Sequence, residues 1–122
     1  MSYAVEDGVV RGRDADIRVR DYRPASGTAS PPLLWVHGGG FVLGGLDQKE
    51  SDAPARYLAA SGRWVRTLEY RLAPNIGLFR APTLGAAPGR FPAAHHDVVD
   101  VATALRDESG TLIDIGGASA GA

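Results

Sequence analysis

The chain has 122 residues, of which 44% are hydrophobic and 22% charged, so a packed domain is expected and global disorder is excluded. Thirteen basic and fourteen acidic side chains give a net charge of -1, which argues against a nucleic-acid partner. There is no cysteine, which excludes disulfides, thiol catalysis and cysteine-ligated zinc. The N-terminus does not resemble a signal peptide and no apolar run approaches membrane-spanning length. We therefore expect a cytoplasmic protein with no membrane partner.

The first predicted elements are a strand or hairpin and a short buried strand. Residues 9–24 alternate around Ile17, Val19 and Tyr22, and this period of two is typical of a strand with one solvated face. A turn-rich segment follows. Residues 33–36 then form a continuous apolar run that ends at glycines. A run that is apolar on both faces indicates a buried parallel strand.

A helix and a further strand are predicted next. Residues 48–61 favour a helix, with Ser51 as a candidate cap, Pro54 near the first turn and Gly62 as the residue that ends it. Residues 63–70 then predict a strand.

The last third of the chain begins with a segment of unclear period. Residues 75–90 (Asn75 to Arg90) are rich in Gly, Pro and Ala, and we interpret them as a loop or insertion. Residues 92–109 have apolar side chains at helical spacing, and Gly110 ends that helix. Residues 111–117 predict a third buried strand.

Strands that alternate with helices indicate a parallel sheet with helices on its faces. The fold class is therefore predicted as α/β. No internal repeat and no domain boundary is visible, so residues 1–122 are taken as one domain.

A G-x-S-x-G pattern directly follows the last predicted strand. It is formed by Gly117, Ser119 and Gly121, with alanines at the two intervening positions. A nucleophile elbow needs small residues around its serine because the turn between strand and helix is tight. The pentapeptide alone is equally compatible with a glycine-rich strand end and an idle serine.

Three glycines directly follow the buried strand at residues 33–36. In the motif His37-Gly38-Gly39-Gly40, backbone N–H groups can turn toward a ligand with no Cβ in the way. Such groups can hold the oxyanion of a tetrahedral intermediate, and one donor is worth roughly 3 kcal/mol of barrier. A flexible turn or a phosphate loop is the alternative. The segment lacks the P-loop lysine and does not fit G-x-G-x-x-G, which argues against nucleotide binding.

Together the motifs "HGGGFVLGGLD", "EYRLAP", "FPAA" and "GGASAG" resemble the hormone-sensitive-lipase-like branch of the α/β-hydrolases, the bacterial family IV carboxylesterases of the fold-3 group. The resemblance covers about residues 9–122. It implies the N-terminal half of an α/β-hydrolase fold, a mostly parallel sheet with flanking helices that is truncated after the nucleophile elbow. It also implies a small-molecule ester as substrate, with no cofactor and no metal.

The resemblance assigns the reacting groups residue by residue. Ser119 matches the nucleophile. The oxyanion hole corresponds to Gly38, Gly39, Gly40 and Ala120, where the amides of Gly39, Gly40 and Ala120 are the donors and Gly38 shapes the loop.

Other matching positions have structural roles in the resembled family. They are His37, which shapes the glycine-rich loop and is not the triad base, and Gly117 and Gly121, which flank the serine. The motif at residues 70–74 supports the oxyanion loop, and Asp97 is also interpreted as structural.

The chain departs from the resembled family where the base is concerned. In that family the triad follows the order Ser, Asp or Glu, His. All three histidines here, His37, His95 and His96, precede Ser119. We interpret His95 and His96 as solvated helix-start residues that the family topology keeps away from the strand ends. Triad acid and base are therefore missing, and an inactive or feeble carboxylic ester hydrolase is expected.

Two alternative functions stay open at this level. One is a non-catalytic binding or interaction module derived from a hydrolase, and the other is a serine hydrolase acting on another bond, such as an amidase. A further expectation concerns residues 111–117. Without a later neighbouring strand they would form an open sheet edge, through which the chain could self-associate.

Overall fold

The computed structural model describes residues 2–26, 30–37, 45–70 and 92–117. Within these ranges the chain forms strands β1 (Tyr3–Arg11), β2 (Asp16–Pro24), β3 (Leu33–Val36), β4 (Val65–Leu68) and β5 (Asp114–Gly117), and helices α1 (Lys49–Ala60) and α2 (Ala93–Ser109). The strands form one sheet in the order β1-β2-β4-β3-β5.

The sheet has a parallel and an antiparallel part. Strand β3 pairs in parallel with both β4 and β5, as predicted for the alternating strands and helices. The predicted strand or hairpin is a hairpin, since β1 and β2 pair antiparallel from Tyr3↔Pro24 to Arg11↔Asp16. Strand β2 is also antiparallel to β4. The start of β2 therefore lies at the end of the sheet where β4 finishes.

Successive side chains of a strand point to opposite faces of the sheet, so each face has apolar side chains to bury. In the described part of the chain one helix packs on each face. On one face α2 contributes Val101 and Leu105 to a core that includes Ile17, Val19 and Leu34. On the other face, small side chains of α1 pack against the sheet. That second cluster contains Tyr22, Ala55, Ala59 and Val65, with Tyr3, Trp35 and Leu58 at its margin.

The prediction that Ser51 caps α1 is wrong. The cap position is Gln48, and the backbone N–H of Ser51 already donates to the Gln48 carbonyl at 2.9 Å. Ser51 is fully buried, as are Ala55 and Ala59. These three small residues recur every fourth position, so they lie on the helix face that packs against the sheet.

The predicted helix ends are confirmed by backbone conformation. Gly62 directly follows the C-cap residue of α1 and has φ 99°, and Gly110 at the end of α2 has φ 68°. Positive φ costs glycine little and other residues much more. The two glycines therefore end their helices where the sequence predicts.

Residues 111–117 were predicted to form a buried strand; a strand does form in this segment, but the prediction that it is buried is wrong. Strand β5 is shorter, Asp114–Gly117, and it occupies one edge of the sheet. Leu112 is 82% exposed and Ile115 is 58% exposed. The helices pack over other strands, α1 against β2, β3 and β4, and α2 against β1, β3 and β4. The predicted open edge is thus present in the described part of the chain.

Tyr22 makes the stability of this fold sensitive to alkaline pH. Its side chain is fully buried and its hydroxyl donates to Asp52 at 2.6 Å. Burial, together with this hydrogen bond, raises the pKa of Tyr22 to about 12. The unfolded tyrosine titrates near 10, so this contribution is fully present below pH 10 and is lost as the pH rises through 12. We expect the free energy of unfolding to fall by about 3 kcal/mol over that range.

Denaturant titrations between pH 8 and 12 would measure this fall, with Tyr22→Phe as the control. The variant loses about 1–2 kcal/mol at neutral pH with its hydrogen bond, but its stability should decline less steeply. Burial also raises the pKa of Tyr70, which leaves a residual decline in the variant. Parallel curves for the two proteins would contradict this role of Tyr22.

Candidate active site

The register between β3 and β5 brings the two glycine-containing motifs to one place. Val36 pairs with Gly117, and Trp35 pairs with Gly116. Because the strands are parallel and about 4.8 Å apart, Val36 and Gly117 lie side by side at the carboxyl end of the sheet. His37, directly after Val36, begins one motif there, and Gly117 begins the other.

Two of the sequence-predicted site residues, His37 and Gly117, lie within the described part of the chain. The others lie outside it, namely Ser119, Gly38, Gly39, Gly40, Ala120 and Gly121. The segment Asn75–Arg90 and most of the motif at residues 70–74 also lie outside it. Their roles stay predictions.

Gly116 allows an aromatic ring to lie against the strand that leads to Ser119. A Cβ at Gly116 would meet two ring atoms of Trp35 at 3.3 Å, which is closer than ordinary contact. The Trp35 indole N–H in turn donates to the carbonyl of Glu50 in α1 at 2.7 Å. The indole therefore connects β3, β5 and α1 at the sheet end that carries the motifs.

His37 is enclosed by the first residue of the predicted supporting motif. Its ring is fully buried and stacks on Tyr70, with centroids 4.0 Å apart and planes inclined by 6°. The Tyr70 hydroxyl donates to the His37 carbonyl at 3.0 Å. The contacts therefore join the residue after β3 to the residue that begins the motif at positions 70–74, and the structural roles assigned to His37 and to that motif stay predictions.

Residues 38–44, called the glycine loop below, lead to a second set of contacts at Gly45 and Leu46. A Cβ at Gly45 would lie 2.6 Å from Oε1 of Glu69, and the other carboxylate oxygen of Glu69, Oε2, accepts a hydrogen bond from Arg18 at 3.1 Å. Leu46 is 2% exposed. Leu46 therefore lies in the core, and Gly45 lies beside Glu69, the residue after β4.

Arg20 of β2 is a residue that the sequence analysis missed. Its guanidinium donates to Asp7 at 2.6 Å, to Asp47 at 2.9 Å and to the Leu46 carbonyl at 3.3 Å. The hydrogen bond from Arg20 lowers the pKa of the Asp7 carboxyl. Strand alternation could have indicated the position of Arg20 from the sequence. It places Arg20 on the same face of β2 as Tyr22, which is the α1 side of the sheet.

The two adjacent histidines lie at the far side of the sheet from β5. His96 is half-buried, and its Nδ1 lies 3.5 Å from a carboxylate oxygen of Asp14 in the turn between β1 and β2. Three inter-strand spacings separate β2 from β5, roughly 14 Å. His95 is exposed. This location favours the interpretation of both as helix-start residues.

The prediction that the two histidines lie away from the strand ends is wrong. His96 lies beside the turn between β1 and β2, and this turn is at the carboxyl end of β4 because β2 is antiparallel to β4. What separates His96 from β5 is the width of the sheet. Asp97, predicted to be structural, is 1% exposed in the first part of α2.

The described residues contain neither a cluster suited to a metal ion nor a membrane-spanning helix. Within residues 2–26, 30–37, 45–70 and 92–117, no group of three His, Cys, Asp or Glu side chains could hold a metal ion. In the same ranges, neither helix has the length and apolar character needed to cross a bilayer.

Comparison with known proteins identifies the fold. A family model described as the α/β-hydrolase fold matches residues 33–122. The carboxylic ester hydrolase LipN of Mycobacterium tuberculosis is 35% identical over 96% of this chain and 29% of LipN. An esterase from Pyrobaculum calidifontis superimposes with a TM-score of 0.75 at 35% identity, over 97% of this chain and 35% of the esterase.

A more distant structure shows the same fold. It is brefeldin A esterase, described as a bacterial homologue of human hormone-sensitive lipase, with a TM-score of 0.71 at 22% identity over 94% of this chain and 31% of that enzyme. The chain thus spans about a third of the length of these three proteins. It belongs to the α/β-hydrolase fold family.

Proposed function

We propose that this chain supplies the nucleophile and the oxyanion hole of a carboxylic ester hydrolase. The parallel register of β3 and β5 is the observation that carries the proposal, because it starts both motifs from adjacent strand ends. In open α/β sheets the carboxyl ends of the strands are where ligands bind. A small-molecule ester is the proposed substrate, and the cytoplasm is the proposed location.

The residue types of the two motifs suit nucleophilic attack on an ester carbonyl. Ser119 would attack the ester carbonyl, and the backbone N–H groups of Gly39, Gly40 and Ala120 would stabilise the oxyanion that forms. Collapse of this intermediate expels the alcohol and leaves an acyl-enzyme, which water then hydrolyses to the carboxylic acid. Each step needs a base to accept a proton and return it.

A polypeptide of these 122 residues is proposed to turn over ester feebly. No histidine follows Ser119 in it, and His96 lies beside the turn between β1 and β2. A serine hydroxyl without an adjacent base is a weak nucleophile. Triad deletions in other hydrolases retain about 10³–10⁴-fold catalysis over water from the oxyanion hole and binding. We expect a residual rate of that kind for the 122-residue polypeptide.

A chimera tests the proposal directly. Residues 1–122 would replace the matching segment of the Pyrobaculum calidifontis esterase, to which they align over 97% of this chain. With a short-chain nitrophenyl ester, we expect turnover by the chimera and none above background with Ser119→Ala. The 122-residue chain assayed in parallel should stay near background.

Three outcomes would count against the proposal. A folded chimera without turnover would favour a non-catalytic module. Turnover of nitroanilides above esters would favour an amidase. Esterase-like turnover by the 122-residue chain, abolished by Ser119→Ala, would show that His95, His96 or a second chain supplies the base.

A further inference from the structure

Arg20 lies at the centre of a charged cluster on the α1 side of the sheet. Its side chain is only 12% exposed. It pairs directly across the hairpin with Asp7, to which two of its nitrogens donate at 2.6 and 3.2 Å. One further nitrogen faces the other way, toward the Leu46 carbonyl at 3.3 Å and Asp47 at 2.9 Å.

The Arg20 contacts at Leu46 and Asp47 come just after the glycine loop. The turn there is closed by the N–H of Gln48, which donates to the Gly45 carbonyl at 3.2 Å. At the other end, the hydroxyl of Tyr70 donates to the His37 carbonyl at 3.0 Å. Residues 38–44 therefore join two points that are each held by a side chain: upstream by Tyr70, two residues after β4, and downstream by Arg20 of β2.

The chemistry of these contacts suits arginine and not lysine. A guanidinium has several donors in a rigid plane and stays charged, so it can bind Asp7 on one side while it binds a carbonyl and Asp47 on the other. The Asp7 carboxylate fixes the orientation of the plane. The remaining nitrogen, Nη1, then fixes the position of the Leu46 carbonyl relative to β2.

We propose that Arg20 is a positioning residue for the oxyanion hole, because it anchors the downstream end of the glycine loop at Leu46 and Asp47. This role of Arg20 in catalysis rests on the proposed function, since Arg20 would act through the backbone amides that hold the oxyanion. A donor that is displaced from the developing charge loses most of its contribution to the barrier. The anchoring itself can be tested without ester hydrolysis.

Hydrogen exchange followed by mass spectrometry on the 122-residue chain would test the anchoring. In Arg20→Gln we expect exchange in residues 38–48 to rise about tenfold, the ratio that corresponds to loss of one charge-assisted hydrogen bond. Residues 97–109 in α2 should keep their exchange rates. Arg20→Lys should restore part of the protection, since an ammonium keeps the charge but lacks the planar fork.

Arg13→Gln is the matched control. Arg13 also makes a two-pronged contact with a carboxylate, that of Asp100, at 2.8 and 3.1 Å, but it joins the β1–β2 turn to α2. It should leave residues 38–48 unchanged. Equal effects of the two arginine variants on residues 38–48, or an unchanged rate there in Arg20→Gln, would overturn the proposal.

Asp47→Asn keeps the test decisive if Arg20→Gln does not fold. The Asp47 side chain is 91% exposed, and its replacement leaves the buried guanidinium of Arg20 paired with Asp7. It weakens one downstream contact of Arg20 and should raise exchange in residues 38–48 without a change in residues 97–109. No rise in this variant, or an equal rise in both segments, would also overturn the proposal.

Discussion

Replacement of Arg66 with methionine is expected to lower the free energy of unfolding by about 3–5 kcal/mol. The Arg66 side chain is 3% exposed, and its guanidinium donates to both oxygens of Asp21, at 2.6 and 2.9 Å, and to Glu108 at 2.7 Å. Burial acts to lower the pKa of Arg66, but the hydrogen bonds to Asp21 and Glu108 outweigh burial and raise it. Methionine would leave the buried Asp21 carboxylate without its main partner. Chemical denaturation monitored by circular dichroism would measure the loss.

Arg23→Gln is the control for the Arg66 substitution. Arg23 also donates to Asp21, at 3.2 Å, but its side chain is 49% exposed, so its removal should cost less than about 1 kcal/mol. The double variant Arg66→Met/Asp21→Leu should recover much of the stability, because both buried charges are then absent. If Arg66→Met costs no more than Arg23→Gln, the cluster does not stabilise the fold in this way.

The 122-residue chain is expected to form oligomers whose population increases with concentration, through the open edge of β5. In the described part of the chain β5 pairs with β3 alone, so the backbone N–H and C=O groups of its other side have no strand partner among these residues. Ile115 is 58% exposed on this strand, and Asp114 is engaged in an ion pair with Arg63. An exposed apolar edge with little free charge favours pairing with another chain. Size-exclusion chromatography with light scattering would measure the association.

Ile115→Lys should shift the chain toward the monomer, because a charge on an edge strand opposes strand pairing. Val9→Lys is the matched control, since Val9 is 60% exposed on β1 at the opposite edge. Strand β1 already carries Glu6, Asp7 and Arg11, so an added charge should change little there. A wild-type chain that is monomeric at all concentrations, or equal effects of the two substitutions, would contradict this role of β5.

Much of the secondary structure could be predicted because its signals are local. The apolar run at residues 33–36 predicts β3, and Gly62 and Gly110 predict two helix ends because positive φ is a property of the residue itself. The two glycine-containing motifs were visible for the same reason, since each consists of neighbouring residues. Ser51 shows where such reasoning fails. A serine suits a helix cap, but it also suits a helix face that packs closely against a sheet, and Ser51 lies on such a face.

The remaining features depend on residues that are far apart in the chain. Nothing local to residues 114–117 shows that they form an edge, because burial of a strand depends on which elements lie beside it. Arg20 and Arg66 look like ordinary charged strand residues until the fold brings their partners to them, Asp47 and Asp21 among others. The register that aligns Val36 with Gly117 is also set by tertiary pairing. Local residue types predicted which residues could react, whereas strand pairing decided that the two motifs start side by side, because hydrogen bonds between strands form only once the chain has folded.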